Sequence, residues 1–366
     1  MRLAPRRTSL EASLVPARAG ASHYRSSCGL RSRLLTVDSW SGASEFLWES
    51  RSHARLSPQR NVEATIFGIP ISIFRAHEVR DDPARRRRAG LVLDVTSTAG
   101  VMTTEQDRIE VRRSVYGAGD LSALSVFGGG FINFGYWRDI VQGGEITLEQ
   151  RVASQQAMYD LVLDALQIGA RDRVLEVGSG RGIGAASALR RDPARVCGID
   201  LMPEQVERAR EANTDPRLTF EQGSAAAIPF RDGSFNRLLS VEAAQHFEDI
   251  PGFARESHRV LTPAGRLALA TFFAADEHAA PELARLLDSF ADGLDLAHSI
   301  GAVQESLHAA GFTDVTATSI GEHVWPCFDR WLVQTGGQDS WPRNWIRLVE
   351  RGLVDYYLVT AHKPAA

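Results

Sequence analysis

The chain has 366 residues, 44% of them hydrophobic, with a formal net charge of −4. That length allows one large or two small domains, the apolar share suffices for a packed core, and the mild acidity gives no reason to expect nucleic acid as a partner. Three scattered cysteines (Cys28, Cys197, Cys327) lack metal-ligand spacing and suit a reducing cytoplasm, and no apolar run approaches the roughly 20 residues of a membrane helix.

The charge is unevenly spread. Residues 1–101 carry 16 arginines against nine acidic residues, whereas the remainder carries 25 basic and 36 acidic ones. The first stretch has only short apolar islands, 65–74 and 91–95, around the run Arg85-Arg-Arg-Arg88. It reads as a disordered extension or as sequence ahead of a true start at Met102. A basic arm for nucleic acid and an Arg- and Ser-rich transit peptide are the alternatives. One domain is expected over 102–366, with its core at about 147–275 and 299–362 and a lid over the site at about 276–298 and 322–350.

From Thr147 to Leu166, Val152, Met158, Leu161, Val162 and Ala165 recur at helical spacing. Thr147 can cap this helix, although no glutamate stands three residues on to make an ideal capping box. Arg173 to Val177 reads as a first strand, Ile183 to Arg191 as a helix stopped by Pro193, and Val196 to Asp200 as a second strand. Pro203 fits the first turn of the next helix, where its missing N–H costs nothing. Strands follow at Leu218–Gln222, Arg237–Val241 and Arg266–Phe272, with a helix near 252–261. An inserted helix is expected over 281–290, then a helix from Ser299 to Ala310 and strands at Thr313–Ile320 and Asp355–Ala361. Alternating strands and helices predict an α/β fold with a doubly wound, mostly parallel, seven-stranded sheet.

The turn between the first strand and its helix carries the chemistry. Val174-Leu-Glu-Val-Gly-Ser-Gly-Arg-Gly-Ile-Gly184 ends a strand in alternating glycines, and Asp200 closes the next strand. Such a unit holds a nucleoside-containing cofactor at the carboxyl edge of a sheet. A dinucleotide fits the glycine spacing too. The run Glu176-x-Gly178-x-Gly180-x-Gly182 resembles motif I of class I S-adenosylmethionine (SAM)-dependent methyltransferases. The stretches Glu221 to Asn236, Arg259 to Leu269 and Ala309 to Val315 resemble the same family's later motifs in the same order. Gly130-Phe-Ile-Asn-Phe-Gly-Tyr-Trp137 resembles the entry segment of its small-molecule, secondary-metabolite members of the methyltransferase type 11 kind.

The resemblance implies SAM as cofactor and a last strand inserted antiparallel between strands five and six. It places Glu176, Gly178, Ser179, Gly180 and Gly182 at the methionine moiety with Tyr136 nearby, and Asp200 at the ribose hydroxyls. Leu201, Gln205, Gly223, Ser224, Ala225, Val241 and Glu242 complete the cofactor set. Ser224 stands where many relatives carry Asp, so the backbone of Ser224 and Ala225 is expected to meet the adenine.

Methyl transfer from a sulfonium is an in-line displacement, helped by holding the nucleophile in place and, for a hydroxyl, by a base. His246 follows the fourth strand, and an imidazole ordinarily titrates near pH 6.5. It is the expected catalytic base. Trp137, Gln245, Phe272, Trp325 and Trp331, with Phe328, Trp341 and Trp345 of the 322–350 insert, are the expected acceptor-side residues. The insert's aromatics read equally as lid core or a dimer surface, and no metal site is expected. The implied reaction is O-methylation of a small-molecule acceptor in natural-product biosynthesis, by a cytoplasmic protein that could pair as a homodimer. Quinone or terpenoid C-methylation is an alternative, as is a SAM-binding protein turned to cyclisation.

Overall fold

The computed structural model describes residues 62–66, 69–73, 104–118, 121, 126–141, 143–337 and 340–365. Of the first 101 residues only Val62–Ile66 and Ile69–Ile73 fall among these, paired as an antiparallel hairpin. The rest of the expected extension, and Met102, lie outside the described residues.

Seven strands form one sheet: β1 (Arg173–Val177), β2 (Arg195–Asp200), β3 (Leu218–Gln222), β4 (Phe235–Val241), β5 (Leu261–Ala274), β6 (Thr313–Ser319) and β7 (Val354–His362). Their order is β3-β2-β1-β4-β5-β7-β6. The first five run parallel, and β7 is antiparallel to both neighbours, as the family resemblance implied.

The central strands β1, β2, β4 and β5 are largely buried because both faces are covered. Successive side chains point to opposite faces. Val174 and Leu239 join a cluster with Met158, Val162 and Leu166 of α2 (Leu148–Leu166), Ala185 of α3 (Ile183–Ala188) and Val206 of α4 (Pro203–Ala212). Leu175 and Leu238 pack in a second cluster with Phe253 of α5 (Ile250–Val260) and Leu307 of α8 (Ile300–Ala309).

Local chemistry sets the helix limits. The capping box on α2 is complete after all: Thr147 Oγ1 accepts the Gln150 N–H at 3.2 Å, and Gln150 Oε1 accepts the Thr147 N–H at 3.0 Å. The glutamine side chain three residues on completes the box, a fuller use of it than the sequence led one to expect. Asp249 caps α5, starting it two residues ahead of the expected boundary. The single helix expected over 281–290 is broken at Leu287, which is extended, into α6 (Ala280–Leu286) and α7 (Asp288–Ala291). The tryptophan-rich segment supplies α9 (Trp325–Gln334) and α10 (Asn344–Glu350). At the other end, α1 (Glu105–Arg112) runs into a π-helical turn, Arg113–Ala118, that sequence periodicity did not indicate.

Candidate active site

The sheet reverses its order between β1 and β4, and the crevice above their carboxyl ends is where α/β folds bind ligands. A cavity of about 730 Å³ opens there. Gly178, Ser179, Gly180, Asp200, Leu201, Gln205, Gly223, Ser224, Ala225, Val241, Glu242 and His246, all picked out in the sequence, line it together.

The glycine turn folds back on β2. The N–H groups of Gly178 and Ser179 both donate to Ile199 O, at 2.8 and 2.9 Å. Gly178 has φ of +78°, and a β-carbon there would stand 2.3 Å from Ala243 Cβ, so no other residue fits. Asp200 Oδ2 accepts the Gly180 N–H at 2.8 Å and Oδ1 accepts the Met202 N–H at 2.9 Å. The carboxylate thus ties the turn to the start of α4 and still lines the cavity. Burial raises its pKa, against the pull of those backbone donors. The Ser224 hydroxyl accepts the Ala226 N–H at 3.3 Å, so it is used locally.

The chain ahead of α2 forms one wall. Arg108 and Arg112 of α1 both reach Glu248, at 2.6 and 2.7 Å. Burial alone would raise the Glu248 pKa, and the two guanidinium groups overcome it and hold the carboxyl below its ordinary range. Gln205 Nε2 and Arg208 donate to Tyr116 O at 2.6 and 2.9 Å, drawing the π-helical turn onto the cavity.

A second, smaller cavity of about 130 Å³ adjoins the first. Its lining is largely apolar: Phe134, Phe272, Leu294, Phe328, Leu332, Trp341 and Trp345, with Gln245, Ser289 and Asp295. Tyr116, Ile132, Glu242 and His246 line both cavities.

His246 is oriented from both ends. Nδ1 lies 2.8 Å from Leu294 O and 3.2 Å from Asp295 Oδ1. Both are acceptors, so Nδ1 carries the proton in the neutral ring and the Nε2 lone pair is free to accept. Tyr116 Oη lies 3.0 Å from Nε2, and Gln245 Nε2 lies 3.2 Å from it. Burial raises the Tyr116 pKa well above its ordinary value, so the phenol remains an O–H donor. The Gln245 amide is itself fixed, its Oε1 accepting the Thr271 hydroxyl at 2.6 Å.

Six expected site residues do not line either cavity. Glu176 is fully buried behind the glycine turn, against Tyr159 and the backbone of α3. Desolvation raises its pKa to about 8. Gly182 caps α3 with φ of +79°, where a β-carbon would strike the Phe220 ring at 2.4 Å. Tyr136 stands edge-on to His323 with ring centroids 5.4 Å apart. Trp137 is buried with Ile146 and Trp331, its Nε1 donating to Phe134 O at 3.0 Å. Trp331 donates to Val126 O at 3.1 Å, and Trp325 donates to Asp355 Oδ1 at 3.1 Å while stacking on Trp345.

In the entry segment it is Ile132 and Phe134, not Tyr136 or Trp137, that reach the smaller cavity. Gly135, with φ of +84°, lets the segment lie so close to α2 that a β-carbon would meet Ser154 Oγ at 2.3 Å. Buried Arg151 donates to Asn133 O, Phe134 O and Val126 O. Phe134 is thereby stacked on Phe328 with centroids 4.4 Å apart. Sequence reasoning also missed Tyr116 and Asp295: each sits in irregular chain where no periodicity or motif marks it.

A family model for a methyltransferase domain matches residues 175–269. Erythromycin 3''-O-methyltransferase of Saccharopolyspora erythraea is 32% identical over 268 residues, 65% of this chain and 85% of that protein. The chain belongs to the class I SAM-dependent methyltransferases. This methyltransferase also resembles the 2-methyl-6-phytyl-1,4-hydroquinone methyltransferase of a Synechocystis species, 32% identical over 60% of this chain and 73% of that one. Its fold matches that of geranyl diphosphate C-methyltransferase from Streptomyces coelicolor, solved with S-adenosylhomocysteine (SAH), with a TM-score of 0.54. That likeness, at 19% identity, covers 59% of this chain and 82% of the other. The methyltransferase takes its methyl group from SAM. Among the described residues no helix is long and apolar enough to cross a membrane.

Proposed function

We propose that this methyltransferase O-methylates a small natural-product acceptor, with His246 as the base. The observation that carries the reading is the His246 ring, fixed with Nδ1 on Leu294 O and Asp295 and with Nε2 on the wall shared by the two cavities. The donor set of the larger cavity fits SAM. Asp200, whose oxygens each keep a lone pair beyond their backbone donors, would accept the ribose hydroxyls. The backbone at Gly178–Gly180 would hold the methionine part, and Gly223–Ala225 with Leu201 the adenine. Bound there, SAM supplies a methyl group on a cationic sulfur, with a neutral thioether as leaving group.

The chain's own residues do the rest. The smaller cavity has room for one ring-sized part of an acceptor, held by aromatic walls. An acceptor hydroxyl would replace Tyr116 at Nε2, which takes its proton, while Asp295 stabilises the imidazolium that forms. The acceptor named for the Saccharopolyspora relative supports a hydroxyl nucleophile. The aromatic lining, with the name of the Synechocystis relative, favours a second reading: C-methylation of a hydroquinone ring. The free thiols of Cys197 and Cys327 support work in a reducing cytoplasm.

Incubation with methyl-labelled SAM and a panel of macrolide, polyketide and hydroquinone acceptors tests this. Label on an acceptor oxygen supports the reading, and label on ring carbon supports the second one. SAM binding with no transfer to any acceptor contradicts both and favours a non-methylating activity.

A further inference from the structure

Glu242 occupies a position that its neighbours over-determine. It leaves β4 with φ of +46°, a left-handed conformation that a β-carbon disfavours. Its own N–H donates to Ala270 O at 2.9 Å, which holds the backbone there. Oε1 accepts two donors, the Phe134 N–H at 2.7 Å and the Tyr356 hydroxyl at 2.8 Å. Among the described residues nothing donates to Oε2, and that oxygen is not sealed from the cavities. Arg151 is the nearby cation, but its guanidinium is committed to the carbonyls of Val126, Asn133 and Phe134.

Of the four residues on the shared wall, Tyr116, Ile132, Glu242 and His246, only the glutamate can be an anion at neutral pH. A methyl group passing from the larger cavity to the smaller must cross this wall. The reacting centre is cationic before transfer. Afterwards the S–CH₃ bond has broken with its electron pair returned to sulfur, a bond to the acceptor has formed, and the acceptor proton has gone to the base. The thioether left behind is neutral.

We propose that Glu242 is the charge sensor of the site, its free oxygen favouring the sulfonium of SAM over the neutral sulfur of SAH and so hastening product release. The inference rests on the cofactor lying in the larger cavity with its methyl group toward the smaller one. Coulomb attraction inside a water-poor site is strong enough to separate two ligands that differ by one charge. Burial raises the Glu242 pKa to about 7, opposed by the Phe134 N–H, the Tyr356 hydroxyl and Arg151. The other titratable groups around it are Tyr116, Tyr159, His246 and Asp295. A cation brought to such a group draws it into the carboxylate form.

Calorimetry on the full chain with SAM and with SAH tests the proposal. Glu242→Gln keeps an oxygen for Phe134 and Tyr356 and removes the charge. It is expected to weaken SAM at least five-fold and to leave SAH within two-fold. An equal change for both ligands, or no change for either, overturns the proposal. Asp200→Ala is the control for the reading beneath it: both ligands should weaken together, and if neither does, the cofactor assignment fails rather than the role of Glu242. Should Glu242→Gln not fold, the wild type gives the answer. Its SAM-to-SAH affinity ratio should rise at least three-fold from pH 6 to 7.5, and the rise should persist in His246→Asn, which removes the imidazole from the shared wall. A flat ratio, or a rise that disappears in His246→Asn, overturns it.

Discussion

The two cavities that meet at His246 are built in different ways. The larger centres on strand ends, with the glycine turn after β1, Asp200 at the end of β2 and Gly223–Ala225 after β3, and is closed on one side by α1 and the π-helical turn. The smaller is made of side chains brought from the π-helical turn, the entry segment, β5, the loop after α7, and helices α9 and α10. A backbone-built site serves one invariant ligand part, because glycine turns and a strand-end carboxylate offer one geometry. A side-chain-built site can be relined without disturbing the sheet, which suits a variable acceptor.

Substitutions in each cavity should separate along that line. The largest effect is expected from His246→Gln, which should lower methyl transfer by about 10²–10⁴-fold while SAH affinity measured by calorimetry stays within two-fold. Normal turnover would remove His246 as the base. Gly178→Val should abolish SAM binding and lower the melting temperature, because its β-carbon has no room beside Ala243. Asp200→Ala should weaken SAM at least ten-fold without altering which acceptor is used. Phe134→Ala, in the smaller cavity, should raise the acceptor KM several-fold and leave SAM affinity unchanged. If it weakened SAM instead, the division between the cavities would be wrong.

The smallest effect on SAM is expected at Glu176. Its folded pKa of about 8 lies above that of an unfolded glutamate, near 4.3, so the folded state holds the extra proton between those values. Stability tied to this group is fully present below about pH 4.3 and is lost as pH rises through about 8. Glu176→Gln should therefore flatten the fall in melting temperature between pH 5.5 and 8, with SAM affinity within three-fold of wild type. A ten-fold loss of SAM binding would return Glu176 to the cofactor site.

Legibility in the sequence follows the same division. The strands and twelve cavity-lining positions could be read ahead, because each rests on a short local signal (an apolar run, a glycine turn, a carboxylate at a strand end), whereas the antiparallel last strand came only from the family resemblance. The acceptor side could be read only in part: Gln245, Phe272, Phe328, Trp341 and Trp345 were expected there and line the smaller cavity, whereas Trp137, Trp325 and Trp331 do not. Trp137, Trp325 and Trp331 are the conspicuous aromatics, yet each is turned inward to donate its indole N–H to a buried acceptor. Phe134, which has no side-chain polar atom to satisfy, reaches the cavity instead. Asp295 and Tyr116 meet His246 across 49 and 130 residues of chain, a distance at which no spacing rule operates. Glu176 carries the motif but does not line the cavity, because Gly184 lets α3 pack down on the carboxyl and cover it.

The most direct test is a structure of the full chain with SAH bound. The account predicts ribose hydroxyls on Asp200, adenine beside Ser224 and Ala225, and the sulfur facing the wall formed by Tyr116, Glu242 and His246. A nucleoside lying elsewhere, or a sulfur turned away from His246 with no path to the aromatic cavity, would contradict it.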